Sequence, residues 1–176
     1  MDENNSIIEQ AKRIIVEESR SINNLSNYLD DNFANVVKEI LATKGRLVIT
    51  GIGKSALIAN KIVATMNSTG TPALFMHAAE AIHGDLGMIQ KDDIVLCISK
   101  SGNTPEIKVL IPLLKRGGNK LIAMVSERTS YLAEHADYVL YAHVEREADI
   151  NNLAPTNSTT AQLVMGDTLA MCLLEQ

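Results

Sequence analysis

The spacing of apolar residues divides the chain into an N-terminal helical stretch and a longer stretch in which two periods alternate. Residues 6–42 carry apolar stripes at helical spacing, and polar residues at 23–27 interrupt them, so we predict two helices or one kinked helix. From residue 46 onwards, short continuous apolar runs alternate with segments whose apolar residues recur every three to four positions. That alternation predicts strands joined by helices.

The apolar runs set the predicted strands, and the helical segments lie between them. The predicted strands are residues 46–50, 72–76, 94–99, 121–125 and 138–144. The predicted helices are residues 55–66, 78–82, 105–114, 131–135 and 159–174. Because this order favours right-handed βαβ units, we predict an α/β fold, a three-layer α-β-α sandwich around a five-stranded parallel sheet. We expect residues 1–176 to form a single domain with the helices of residues 6–42 at its N-terminus.

Composition and charge narrow the classes of function. The chain is 46% hydrophobic and 21% charged, which is typical of globular proteins. Its net charge is −5 and no cluster of five Lys or Arg residues occurs, so we expect neither a nucleic-acid partner nor a membrane partner. No apolar run reaches the length of a spanning helix, and the polar start "MDENNS" is unlike a secretory signal, so we expect a cytoplasmic location.

Two loops rich in Ser, Thr and Gly follow predicted strands. "ISKSGNTPE", residues 98–106, combines hydroxyl side chains, a glycine and the start of a helix, and a helix cap alone would need one hydroxyl. "GIGKS", residues 51–55, matches neither the P-loop nor the GxGxxG spacing, but it also places small polar residues at a helix start. Ligands of parallel sheets bind beyond the carboxyl ends of the strands, so these loops predict one phosphate site held from two sides.

The loop after the second predicted strand, "HAAEAIHGDLG", carries two histidines. His77, Glu80 and His83 could suggest a metal site, but no fourth ligand is apparent, and we predict that no metal is bound. His83 precedes a Gly-Asp turn and suits proton transfer, because histidine titrates near neutral pH. We expect His77 to have a structural role.

An acidic segment follows the fifth predicted strand, with carboxylates at positions 145, 147 and 149 before a stretch rich in Ser and Thr. A solvated acidic loop and a catalytic role for these carboxylates are about equally good interpretations, since the segment falls at the ligand-binding edge of the predicted sheet.

Four segments resemble those of arabinose-5-phosphate isomerases, which are sugar isomerase (SIS) domain proteins. They are "ISKSGNTPEI", "GIGKS", "HAAEAIHGDLGM" and "LAPTNSTTAQLVMGDTLA", and the resemblance runs from about Tyr28 to the C-terminus. It implies an enzyme without cofactors that interconverts D-ribulose 5-phosphate and D-arabinose 5-phosphate through a cis-enediol(ate). The product would feed 3-deoxy-D-manno-octulosonate (Kdo) synthesis for lipopolysaccharide or capsule. The resemblance also implies a homotetramer with shared sites, and inhibition by CMP-Kdo.

The loops and the resemblance together define the predicted site residues. The residues expected to bind the phosphate are Gly53, Ser55, Ser99, Lys100, Ser101, Gly102, Asn103 and Thr104. The residues expected to be catalytic are Glu147, His83, Lys54 and Glu106.

Each expected catalytic residue has a proposed task. We expect Glu147 to be the base that moves a proton between C1 and C2, with its pKa raised by burial among like charges. His83 would open the sugar ring or move the proton between O1 and O2. Lys54 would stabilise the enediolate oxygen, and Glu106 would contact sugar hydroxyls or position Lys54.

The sequence departs from the family pattern at three places. Lys100 stands where Asn is common and adds a cation beside the phosphate, and the segment after Glu147 lacks a Cys-Pro pair. Family members continue into a segment with a His-Pro-Gly-Gly motif, whose His is considered catalytic, whereas this sequence ends at Gln176. Two alternatives stay open: an isomerase of the 3-hexulose-6-phosphate type, and a non-catalytic phosphosugar-binding regulatory SIS domain.

Overall fold

All strands of the sheet are parallel in the computed structural model, which describes residues 3–176. The strands are β1 Leu47–Gly51, β2 Ala73–His77, β3 Ile94–Ile98, β4 Lys120–Val125 and β5 Tyr138–Tyr141. Their order across the sheet is β2-β1-β3-β4-β5. Strands β1 and β3 are buried along their whole length, as their continuous apolar sequence predicts. The predicted fold class, an α/β fold with a five-stranded parallel sheet flanked by helices, is confirmed.

Helices flank the sheet on both sides. Within residues 3–176 the α-helices are α1 Glu3–Asn24, α2 Asp31–Ala42, α3 Lys54–Ser68, α4 Ala78–Ala81, α5 Pro105–Gly117, α6 Tyr131–His135 and α7 Asn157–Leu174. The N-terminal helical stretch is thus two helices, which a short 3-10 helix at Leu25–Tyr28 separates. The Asp30 carboxylate accepts a hydrogen bond from the Asn32 N–H and caps α2. No helix in this range is long and apolar enough to cross a bilayer.

Alternate side chains of each central strand pack on opposite faces of the sheet. Ile49 of β1 and Leu96 of β3 belong to the core beneath α2, α3 and α7. Val48 and Val95 belong to the core beneath α4, α5 and α6. Helices α3 and α5, which follow the adjacent strands β1 and β3, therefore lie on opposite faces. The direction of winding reverses between these two strands, and that point is where ligands bind in open α/β sheets.

A buried polar cluster joins the strands at the amino-terminal edge of the sheet. The Asp93 carboxylate accepts hydrogen bonds from the Arg46 N–H (2.7 Å), the Arg46 guanidinium (2.8 Å) and the Gln90 N–H (2.9 Å). Burial alone would raise the pKa of Asp93, but these donors outweigh burial and lower that pKa. The Asn119 amide donates to the carbonyls of Gln90 (2.8 Å) and Asp93 (2.9 Å). The starts of β1, β3 and β4 are thereby fixed to one another.

Candidate functional site

A cavity opens at the carboxyl edge of the sheet, where the winding reverses. Its volume is about 270 Å³. The loops after β1 and β3 supply most of its wall, and the start of α7 supplies the rest. The lining residues are Ile52, Lys54, Ser55, Ile98, Ser99, Lys100, Ser101, Thr104, Pro155, Ser158 and Thr159. Because α3 and α5 begin at this cavity from opposite faces of the sheet, two helix N-termini direct free N–H groups and positive dipole ends towards it.

Hydroxyl groups in the loop after β3 are arranged as hydrogen-bond donors. Ser99 Oγ accepts a bond from the Gly102 N–H (3.1 Å), and Ser101 Oγ accepts one from the Asn103 N–H (3.3 Å). Each hydroxyl hydrogen is still available to donate. The buried Thr104 Oγ1 has no partner among residues 3–176, although Thr104 borders the cavity. Oxygens of an anion in this cavity would accept these bonds.

Gly102 and Asn103 shape the loop and do not line the cavity. Gly102 has φ +62°, and a Cβ at this position would collide with Ser130 Oγ, so the position requires glycine. Asn103 donates through its amide to the Ser101 carbonyl (3.0 Å) and accepts from the Tyr131 N–H (3.2 Å). These contacts brace the loop against α6. On the other side, Gly53 has φ +59° and immediately precedes α3.

Glu147 lies behind the cavity wall, and its side chain is only 1% exposed. Its Oε1 accepts hydrogen bonds from Lys100 Nζ (2.6 Å) and Ser158 Oγ (2.5 Å). Its Oε2 accepts from the N–H groups of Thr156 (2.9 Å) and Ser158 (3.0 Å), at the start of α7. Glu147 is therefore a buried carboxylate surrounded by donors, one of which is a cation that lines the cavity.

The prediction that the pKa of Glu147 is raised by like charges is wrong. Burial favours the neutral acid, but the bonds from Lys100 and Ser158 outweigh burial and lower the pKa to about 2. The neighbouring carboxylates do not face it: Glu145 is exposed, and Asp149 accepts bonds from the N–H groups of Leu153 (3.0 Å) and Ala154 (3.3 Å). Glu147 is thus ionised, and its donors balance its charge.

The remaining predicted residues are distributed unevenly around the cavity. Lys54 lines it beside Ser55, whose hydroxyl donates to Gln162 Oε1 (3.1 Å). Glu106 is half-buried in the first turn of α5, and His83 is exposed in the segment after α4. Neither Glu106 nor His83 lines the cavity in this structure.

His77 fits the structural role expected of it, because its Nδ1 accepts a hydrogen bond from the Ala79 N–H (3.3 Å) and caps α4. Within the described residues 3–176, no three His, Cys, Asp or Glu side chains are grouped closely enough to hold a metal ion.

The predicted site residues omit those that the start of α7 contributes. Pro155, Ser158 and Thr159 line the cavity, and Ser158 also contacts Glu147. The signal was present, since a stretch rich in Ser and Thr at a helix start had already marked the two other loops. Three helix starts therefore border the cavity, but the N–H groups of Thr156 and Ser158 at the start of α7 donate to Glu147, which leaves the N-termini of α3 and α5 for an anion.

The chain is similar to known proteins over most of its length. The model of the SIS domain family matches residues 40–172. The chain is 55% identical over 157 residues to a Haemophilus influenzae protein named "Probable arabinose 5-phosphate isomerase", covering 89% of this chain and 47% of that protein. It is 49% identical over 175 residues to arabinose 5-phosphate isomerase KdsD of Pseudomonas aeruginosa, covering 99% of this chain and 54% of that protein. The chain thus spans about half the length of these curated relatives.

A solved structure agrees along nearly the whole chain. The structure of an Escherichia coli CFT073 protein in complex with arabinose 5-phosphate has a TM-score of 0.95 and 41% sequence identity to this chain. The match covers 99% of this chain and 93% of that one.

Proposed function

The chain belongs to the SIS domain family, and from that membership we propose that it is an aldose-ketose isomerase that interconverts D-arabinose 5-phosphate and D-ribulose 5-phosphate. Two relatives that match 89% or more of the chain are named for this activity, and a protein of nearly the same fold was solved with arabinose 5-phosphate. The observation that carries the proposal is the cavity at which the hydroxyls of Ser55, Ser99, Ser101 and Thr104 meet two helix N-termini.

The cavity suits a phosphate better than a neutral ligand. Hydroxyl donors, the ammonium groups of Lys54 and Lys100, and two positive helix ends all favour negative charge. A phosphate held there would orient the rest of a pentose chain, and its binding energy would place the reacting carbons. We propose that Ser99, Ser101 and Thr104 donate to the phosphate oxygens, and that Ser55 joins them by turning its one hydroxyl hydrogen away from Gln162 Oε1.

The chemistry requires a proton to leave one carbon and arrive at its neighbour. We propose that the Glu147 carboxylate takes the proton from C2 of the aldose and returns it to C1 to give the ketose, while Lys54 stabilises the negative charge on the enediolate oxygen. Glu147 lies directly behind Lys100 and Ser158, which line the cavity, so a movement of Lys100 would uncover Oε1 on the side of the substrate. His83 would transfer protons at the sugar oxygens, and Glu106 would contact hydroxyls of the chain.

The wider setting is also part of the proposal. We propose that residues 1–176 act as one SIS domain, because Leu25, Val36 and Val37, which precede β1, pack in the same core as the sheet. We propose a homotetramer with sites shared between subunits, and CMP-Kdo as an inhibitor at the same site. The product would supply Kdo synthesis for lipopolysaccharide or capsule, in the cytoplasm where sugar phosphates are used.

The test is an isomerase assay on the purified protein. D-Ribulose 5-phosphate is added, and the products are identified by NMR alongside a panel that includes 3-hexulose 6-phosphate. We expect D-arabinose 5-phosphate to form, and we expect the same mixture of the two sugar phosphates when the reaction starts from D-arabinose 5-phosphate. Turnover of 3-hexulose 6-phosphate alone would show that the protein is instead an isomerase of the 3-hexulose-6-phosphate type. Ligand binding without any turnover would identify a regulatory domain.

A further inference from the structure

Lys100 connects the phosphate cavity to the buried carboxylate behind it. Its backbone lies between Ser99 and Ser101, whose hydroxyls border the cavity, and its ammonium lies 2.6 Å from Glu147 Oε1. The Lys100 side chain is 42% exposed, whereas that of Glu147 is 1% exposed. The carboxylate is therefore fixed, and the flexible lysine stem is the partner that can move.

A dianion in the cavity would compete with Glu147 for this ammonium. The phosphate oxygens would lie beside the hydroxyls of Ser99 and Ser101, on either side of the Lys100 backbone. A dianion carries twice the charge of the carboxylate, and the ammonium has three N–H donors that can turn towards it. When Lys100 turns, Glu147 Oε1 keeps only the Ser158 hydroxyl, and no cation then balances the buried charge.

We infer that Lys100 shares its ammonium between Glu147 and the phosphate of the substrate, so that binding of the phosphate releases Glu147 for proton transfer. The consequence for catalysis rests on the proposed function. A pentose without a phosphate would not displace Lys100, so the Lys100–Glu147 ion pair would persist and Glu147 could not act as the base. Lys100 would thus select phosphorylated substrates twice, once through affinity and once through the state of the base.

Apart from Lys100, no neighbouring group in the described residues supplies a positive charge that an anion could draw away from the Glu147 carboxylate. Thr156 and Ser158, from the start of α7, donate to the carboxylate but do not titrate. Arg146 Nε contacts the Glu147 carbonyl (3.3 Å), and Asn152 Oδ1 accepts from the Glu147 N–H (2.6 Å), so both act on its backbone. In the part of the chain that the structure describes, Lys100 is the titratable group paired with this carboxylate.

Carboxyl ¹³C NMR tests the coupling directly. Protein labelled at the Glu carboxyl carbons is titrated with acid, with and without saturating sulfate, which keeps both charges through the pH range in which ordinary carboxyl groups titrate. The Glu147 signal is identified by its loss in Glu147→Gln. A close opposite charge lowers a carboxyl pKa by roughly 1 to 3 pH units. Because sulfate would draw the Lys100 ammonium away, we expect it to raise the midpoint of the Glu147 titration by about that amount.

Two variants sharpen the experiment. In Lys100→Met the midpoint should already be raised without sulfate, and added sulfate should move it much less than in wild type, because only direct repulsion by the anion is left. Lys61→Met is the matched control. Lys61 also pairs with a carboxylate at 2.6 Å, that of Asp167, and its side chain is similarly exposed (47%), but it lies outside the cavity. We expect the control to respond to sulfate as the wild-type protein does.

The wild-type titration decides the inference even if Lys100→Met does not fold. An unchanged Glu147 midpoint while sulfate shifts the Ser101 amide signal would overturn it, and so would a failure of sulfate to bind. The titration needs no turnover. A protein that shows the shift but does not isomerise pentose phosphates would refute the proposed activity and leave the coupling established, whereas an active protein without the shift would refute the coupling alone.

Discussion

Replacing Glu147 with Gln removes a buried charge, and the cost to stability should depend on pH. The pKa of Glu147 is about 2 in the folded protein, against an ordinary value of 4.5. One pKa unit corresponds to about 1.4 kcal/mol, so the ionised form contributes about 3 kcal/mol to the free energy of unfolding. Because folding lowers this pKa, the contribution is fully present well above pH 4.5 and is lost as the pH falls towards 2.

Urea unfolding followed by far-UV circular dichroism measures this contribution. Wild type and Glu147→Gln are compared at one protein concentration, at neutral pH and at about pH 3. We expect the variant to be less stable by about 3 kcal/mol at neutral pH, and the difference to shrink by about 2 kcal/mol at the acidic pH. Comparing the two proteins at each pH cancels the contributions of Asp93 and Asp137, whose pKa values are also lowered.

The change in the difference with pH is the decisive result. Gln keeps the size of the side chain but has one acceptor oxygen, so some loss of stability is expected at every pH. Glu145→Gln is the control, because its exposed side chain lies two residues away, and its substitution should leave the stability nearly unchanged at both pH values. A difference between wild type and Glu147→Gln that is the same at both pH values would show that the charge of Glu147 does not stabilise the fold.

Three further substitutions test the rest of the structure. Ser101→Ala should raise KM for arabinose 5-phosphate by about tenfold or more with little change in kcat, because a hydrogen bond to a charged group is worth about 1.5–3 kcal/mol; initial-rate kinetics would refute the phosphate contact if KM stayed constant. Gly102→Ala should lower the melting temperature, because its Cβ would meet Ser130 Oγ, and a wild-type melting curve would contradict this. Arg46→Met should destabilise the protein by about 3 kcal/mol at neutral pH and less in acid, because it leaves the buried Asp93 carboxylate without its cation; equal losses in urea unfolding at both pH values would exclude that cause.

The layers of the fold were predictable because each strand is marked by a local apolar pattern in the sequence. The continuous apolar runs of β1 and β3 reflect burial on both faces, and that pattern is visible without knowledge of any distant contact. The C-terminal end of β5 was predicted three residues too far along the chain. Ala142 and Val144 are apolar and buried, as in a strand, but the Val144 N–H donates to the Ser126 hydroxyl instead of a strand neighbour.

The residues that border the anion cavity were predictable from the sequence, whereas the lowered pKa of Glu147 was not. Hydroxyl-rich helix starts are local features, and six of the predicted residues line the cavity, namely Lys54, Ser55, Ser99, Lys100, Ser101 and Thr104. The pKa of Glu147 depends instead on which donors the fold brings to it. Carboxylates stand two positions before and after it in the sequence, whereas its partners in space are Lys100, which is 47 positions away, and Ser158, which is 11 positions away.

The Asp93 cluster offers a practical opportunity for protein engineering. Arg46, Asp93 and Asn119 hold the starts of three strands at the edge of the sheet opposite to the cavity. Random libraries confined to cavity-lining positions outside the proposed phosphate contacts, such as Pro155 and Thr159, would leave every one of those bonds in place. Such libraries should yield a high proportion of folded variants, so that new sugar specificities can be screened without first rescuing the scaffold.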